Sequence, residues 1–145
     1  MESKINVTVR IKPLSDIERA NDKNHIWNQV SENTIMNVKT KEMFTFDNVF
    51  GERAHTQQIF DSQVKELVIS AMQGFNVTAF AYGQTSSGKT YTMRGYNDAD
   101  PGLIPLSIRQ VFDWINDDKD RKYDINVSYL EVCVFAAILS EKFFK

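Results

Sequence analysis

The chain has 145 residues, 42% of them hydrophobic and 25% charged, with a formal net charge of −2. One ordinary domain of this composition can bury a core, which excludes an intrinsically disordered chain. Its lysines and arginines are scattered, which excludes a polybasic surface for nucleic acid or membrane.

Residues 1–14 hold no continuous apolar stretch of the kind a secretory leader needs, so the expected location is the cytosol. Within them Ile5, Val7, Val9 and Ile11 alternate with Asn6, Thr8, Arg10 and Lys12, which predicts a half-buried strand stopped by Pro13. Residues 16–24 are polar and read as a surface loop. Residues 35–49 read as two short strands with Phe44 and Phe46 on one side. Thr56 is placed to cap a helix, along which Ile59, Phe60, Val64, Leu67, Val68, Ala71 and Met72 recur at helical steps. Gly74 supplies its C-terminal stop. The mostly apolar residues 75–82 then predict a strand buried on both faces.

That strand runs into Gly83-Gln84-Thr85-Ser86-Ser87-Gly88-Lys89-Thr90, an ungapped match to the phosphate-loop pattern G-x-x-x-x-G-K-[ST]. The pattern has a physical basis. Gly83 and Gly88 let the backbone turn tightly and present N–H groups to anionic oxygens, Lys89 reaches the β and γ phosphates, and the Thr90 hydroxyl serves Mg²⁺. A strand before the loop and a helix opening at residues 90–93 are the setting such a loop requires, and a Gly/Ser-rich surface turn is the alternative.

Residues 94–105 hold Gly95, Asn97, Asp98, Asp100, Pro101 and Gly102 and predict an exposed loop. Helix resumes at about Pro105 with Ile108, Val111, Phe112 and Ile115 on one face. Ile125, Val127 and Tyr129 then mark a further strand. The order β, β, α, β, loop, α, β predicts an α/β layered sheet. The single cysteine, Cys133, can form no internal disulfide. The apolar run at residues 132–139 falls far short of the about 20 residues that cross a bilayer. His25 and His55 lack paired carboxylates nearby in sequence and read as surface or packing residues.

Several segments together resemble the kinesin motor domain. They are Arg10-Ile11-Lys12-Pro13, Phe44-Thr45-Phe46-Asp47-Asn48-Val49-Phe50, the block from Phe80 to Met93 around the phosphate loop, Gly102-Leu103-Ile104-Pro105 and Val127-Ser128-Tyr129-Leu130-Glu131. The lead-in Gln73-Gly74-Phe75-Asn76 looks closest to the class containing the centromere-associated kinesins. The resemblance covers residues 5 to about 132. It implies an α/β P-loop NTPase of the kinesin motor type, with an incomplete central sheet flanked by helices over residues 1–132 and a divergent tail over residues 133–145.

The resemblance also implies ATP and Mg²⁺ as ligands, with Arg10 and Pro13 bordering the adenine, Tyr91 stacking on it, and Gly83, Gln84, Thr85, Ser86, Ser87, Gly88, Lys89 and Thr90 around the phosphates. Microtubules are the implied partner of the complete motor, with a cytoskeletal location and dimerisation through a coiled coil not present here. Lys12 stands where the family usually has a second arginine, and it lacks that residue's planar fork. Segments resembling the family's two switch motifs do not occur in the sequence. Hydrolysis needs an oriented water and charge stabilisation on the γ-phosphate, and the loop supplies only part of this.

The expected function is therefore the ATP-binding N-terminal portion of a microtubule motor. The alternative is a short non-motor form that binds nucleotide weakly or only interacts with proteins, and a small-molecule kinase is disfavoured by the kinesin-like flanks. Glu131, an acidic residue at the end of a hydrophobic strand, could be read as a Walker-B carboxylate in another P-loop enzyme, but the resemblance makes it structural. In the family, strands from later in the motor flank the one entering the phosphate loop, so the chain by itself is expected to be unstable or molten.

Overall fold

The computed structural model describes residues 5–20 and 26–130. His25, Glu131, Cys133, the apolar run at 132–139 and the tail at 133–145 lie outside the described residues.

The alternating N-terminal segment forms β1 (Thr8–Arg10), which pairs in parallel with β5 (Asn48–Phe50), Val9 lying opposite Val49. The strand is shorter than its pattern, since Ile5 is exposed and precedes any pairing. Residues 16–24 were expected as loop, yet Asp16–Arg19 makes a helical turn, α1. Ser15 and Glu18 cap it reciprocally, Ser15 N–H donating to Glu18 Oε2 at 2.8 Å and Glu18 N–H to Ser15 Oγ at 3.3 Å.

The two strands expected at 35–49 are three, and a further strand precedes them. β2 (Trp27–Gln29), β3 (Thr34–Asn37) and β4 (Met43–Thr45) form an antiparallel meander, while β5 leaves it to join β1. Trp27 meets Phe44 edge-on with ring centroids 5.8 Å apart, reaching across β3 on the face that carries buried Ile35. Ile35 of β3 and Val49 of β5 are buried.

The long amphipathic segment starts with α2 (Thr56–Ile59), widens into a π-helical stretch at Phe60–Val64 and continues as α3 (Lys65–Met72). Thr56 is not the cap. His55 holds that position, its N–H donating to Gln58 Oε1 at 3.0 Å, and Thr56 lies inside the first turn with its hydroxyl committed elsewhere. Ile59, Phe60 and Val64 are buried as the pattern predicts, whereas Leu67 stays exposed. Gly74 ends the helix with φ +100°: its N–H donates to Ala71 O at 3.0 Å and that of Phe75 to Ser70 O at 3.1 Å, a Schellman arrangement.

Residues 75–82 do not form the expected strand. No ladder pairs them among the described residues, and Phe80 and Tyr82 are 80% and 94% exposed. An apolar run specifies a buried strand only where neighbours complete the sheet. Residues 125–130 likewise form no strand, and Val127, Tyr129 and Leu130 are exposed.

After the glycine loop comes α4 (Lys89–Arg94). The turn-rich residues that follow fold into a hairpin, β6 (Gly95–Asn97) and β7 (Asp100–Pro101), in place of an irregular loop. Asn97 Oδ1 accepts from the N–H groups of Ala99 and Asp100, closing the turn. The last helix, α5 (Leu103–Asp117), begins before Pro105, which occupies the first turn where a missing N–H costs nothing. Its packing face runs through Leu103 and Leu106, which meet Phe60, Val64 and Val68, while Ile108 and Phe112 of the expected face are half exposed.

Candidate functional site

The loop at residues 83–90 connects the unpaired apolar segment to α4. Gly88, the residue before the helix, has φ +96°, and Ser86 takes φ +65°. A left-handed serine costs on the order of 1 kcal/mol, a conformation retained where a loop is shaped for a ligand. Ser87 N–H donates to Gln84 O at 3.2 Å, tightening the turn. Lys89 folds its ammonium back over the loop and donates to Gly83 O and Gln84 O, both at 2.8 Å. A positive charge thus lies against the glycine turn, with Ser87, Gly88 and Lys89 half-buried and Gln84, Thr85, Ser86 and Thr90 exposed.

Arg10 at the end of β1 ties α4, the helix that follows this loop, to the rest of the fold. Its Nη1 donates to Thr56 Oγ1 at 2.9 Å and to Thr92 Oγ1 at 3.2 Å, and its Nη2 donates to Ala54 O at 3.0 Å. Thr56 is 1% exposed, so the guanidinium satisfies a buried hydroxyl while crosslinking β1, α2 and α4. The same guanidinium lies over the Tyr91 ring, 4.9 Å from its centroid. The Tyr91 hydroxyl donates to Asp100 Oδ2. That acceptor holds the phenol above its ordinary ionisation range, burial adding to the shift and Arg10 opposing it.

Arg10 and Tyr91, far apart in sequence, are therefore brought into contact, and Tyr91 is adjacent to Thr90 of the loop. Pro13 is exposed beyond β1. Lys12 is bound to Glu18, its Nζ at 3.1 and 3.3 Å from the two carboxylate oxygens. Sequence reasoning missed Thr56, Thr92, the Ala54 carbonyl and Asp100. Thr56 was noticed only as a helix cap and Asp100 only as a turn former, and nothing in their local pattern links either to Arg10 or Tyr91.

The set suits a polyphosphate with a planar base: a lysine and a glycine turn at one end, a guanidinium and a phenol at the other. Thr90 offers an exposed hydroxyl for a metal ion, and among the described residues no cluster of His, Cys, Asp and Glu side chains forms a separate metal site. Two concave surfaces adjoin this region, one of about 320 Å³ beside Gln29, Gly51 and Ala54 and one of about 340 Å³ around the β6–β7 hairpin.

The family model of the kinesin motor domain matches residues 10–135. Similar proteins include kinesin-like protein KIN-7O of Arabidopsis thaliana, 42% identical over 129 residues, which span 89% of this chain and 10% of the relative. Kinesin-like protein KIN-7I of Oryza sativa subsp. japonica is 42% identical over 130 residues, 89% of this chain and 10% of the relative. Kinesin-related protein 4 of Dictyostelium discoideum is 41% identical over 131 residues, 89% of this chain and 7% of the relative. The solved structure of a fast kinesin superposes with a TM-score of 0.72 at 33% identity, over 80% of this chain and 34% of that one. The chain spans about a tenth of the length of the curated relatives it matches.

Proposed function

This chain belongs to the kinesin motor-domain family, an α/β P-loop NTPase fold, and on that premise we propose that it is the ATP-binding N-terminal portion of a microtubule motor. The observation that carries the reading is that Lys89, folded over the glycine turn, and Tyr91, held against Arg10, flank Thr90 in the chain. Lys89 exchanges its two loop carbonyls for phosphate oxygens, a gain because a charge-assisted contact to an anion is stronger than one to a neutral carbonyl. Gly83, Gln84, Thr85, Ser86, Ser87 and Gly88 wrap the phosphates through their backbone. A base borders Arg10 and Pro13 and stacks on the Tyr91 face opposite the guanidinium.

Thr90 would hold Mg²⁺ through its hydroxyl, and the ion would supply charge neutralisation on the phosphates. Coupling of hydrolysis to movement along microtubules, a cytoplasmic cytoskeletal location and dimerisation belong to the complete motor in this reading. In this chain the reading keeps a motor portion at residues 1–132 and a divergent segment at 133–145. The finer assignment, to the class containing the centromere-associated kinesins, is supported by the lead-in Gln73-Gly74-Phe75-Asn76.

Equilibrium dialysis with labelled ATP and Mg²⁺ tests the reading. We expect saturable binding that weakens about ten- to a hundredfold in Lys89→Ala, the loss that follows from removing a hydrogen bond to a charged group. Equal binding by the variant, or none by the native chain, would reject it.

A further inference from the structure

We propose that Asp100 is a positioning residue which, through the Tyr91 hydroxyl, holds the aromatic ring against Arg10 as a platform for the base of a bound nucleotide; this rests on the nucleotide reading above.

The argument starts from how each partner is fixed. Three hydrogen bonds, to Thr56, Thr92 and Ala54, leave the Arg10 guanidinium one orientation. Tyr91 sits in the first turn of α4 with 38% of its surface exposed, so packing alone leaves its ring free to swing. It is held instead at two points, its face by Arg10 and its hydroxyl by Asp100. Asp100 can serve as an anchor because its own backbone is fixed. It pairs with Asn97 across the β6–β7 hairpin, and its N–H donates to Asn97 Oδ1 at 3.0 Å.

Arg10 and Asp100 are the charged groups facing the phenol, one on β1 and one on β7. A ring held at its face and at its hydroxyl meets a planar base without first losing rotamer freedom, and preorganisation of this kind raises affinity without adding a contact. The hairpin thereby becomes part of the site, although it contributes nothing to the phosphate loop itself.

The test is titration calorimetry of the full chain with ATP and, separately, with inorganic tripolyphosphate, each with Mg²⁺. Tripolyphosphate carries the phosphates without a base. Asp100→Ala is expected to weaken ATP by about three- to tenfold, the scale of one hydrogen bond, and to leave tripolyphosphate unchanged. Asp100→Asn, which keeps an acceptor carbonyl, should fall nearer the native chain. Tyr91→Phe should weaken ATP as Asp100→Ala does, and combining the two should bring no further loss.

Native ATP affinity in Asp100→Ala, an additive loss in the double variant, or a parallel loss of tripolyphosphate would each overturn the proposal. A native chain that binds ATP no more tightly than tripolyphosphate would remove the base platform itself. Binding of neither ligand would instead reject the phosphate-loop reading beneath it.

Discussion

Glu18 illustrates how far a single side chain can be committed by its neighbours. The Ser15 N–H, the Ser15 hydroxyl and the Lys12 ammonium converge on its carboxylate and lower its pKa from the ordinary 4.5 to about 2. A folded-state value below the unfolded one means that the capping contribution is complete above pH 4.5 and is lost as pH falls toward 2. An NMR titration of the Glu18 carboxyl should therefore have its midpoint near 2, and Glu18→Gln should remove that pH dependence from α1. A midpoint near 4.5 would contradict the capping geometry. The same pairing explains the fate of Lys12, which the sequence places in the nucleotide-binding stretch but whose ammonium is held by Glu18. At this scale the left-handed turn at Gly88 and the fold of Lys89 over the loop agree with the spacing that marks the motif. Thr56 and Asp100 were not legible in the sequence, because their importance comes from a guanidinium and a phenol that arrive from distant parts of the chain.

Among the elements, the helix that ends at Gly74 was read most fully. The apolar steps through Ile59, Phe60 and Val64 predicted its buried face, and Gly74 its stop. Periodicity carried no sign of the π-helical stretch at Phe60–Val64, since a widened turn shifts later side chains around the axis. A Cβ built on Gly74 meets no atom within 4 Å, so substitution there is opposed by backbone conformation alone. Gly74→Ala should cost about 1 kcal/mol in urea denaturation, the penalty for a left-handed alanine. No measurable loss would mean that the chain ends this helix in another way. The strand expected at residues 75–82 failed for a different reason. Its apolar composition satisfies the local half of what a central strand needs, and hydrogen-bonded neighbours, the other half, are not encoded in the segment. The β6–β7 hairpin was hidden by its brevity, because turn formers dominate so short a ribbon.

Taken as a whole, the molecule joins a modest core to a well-specified loop. Phe60, Val64 and Leu106 form the central cluster, flanked by Val68 and Leu103, while Phe80, Tyr82, Val127 and Tyr129 remain in solvent. Stability of this kind is uneven, greatest where α3 and α5 pack and least along residues 75–82 and 125–130. The family was legible from sequence because its phosphate loop and flanking segments are long and specific, and the match over residues 10–135 agrees with it. The sheet was less legible, because strand pairing depends on contacts distant in sequence. Hydrogen exchange of the full chain with and without ATP and Mg²⁺ tests the central claim most directly. Added nucleotide should slow exchange at residues 83–90 and around Arg10 and Tyr91, leaving the exposed segment 125–130 unchanged. Unchanged exchange at residues 83–90, or protection confined to surfaces away from Lys89, would contradict the account.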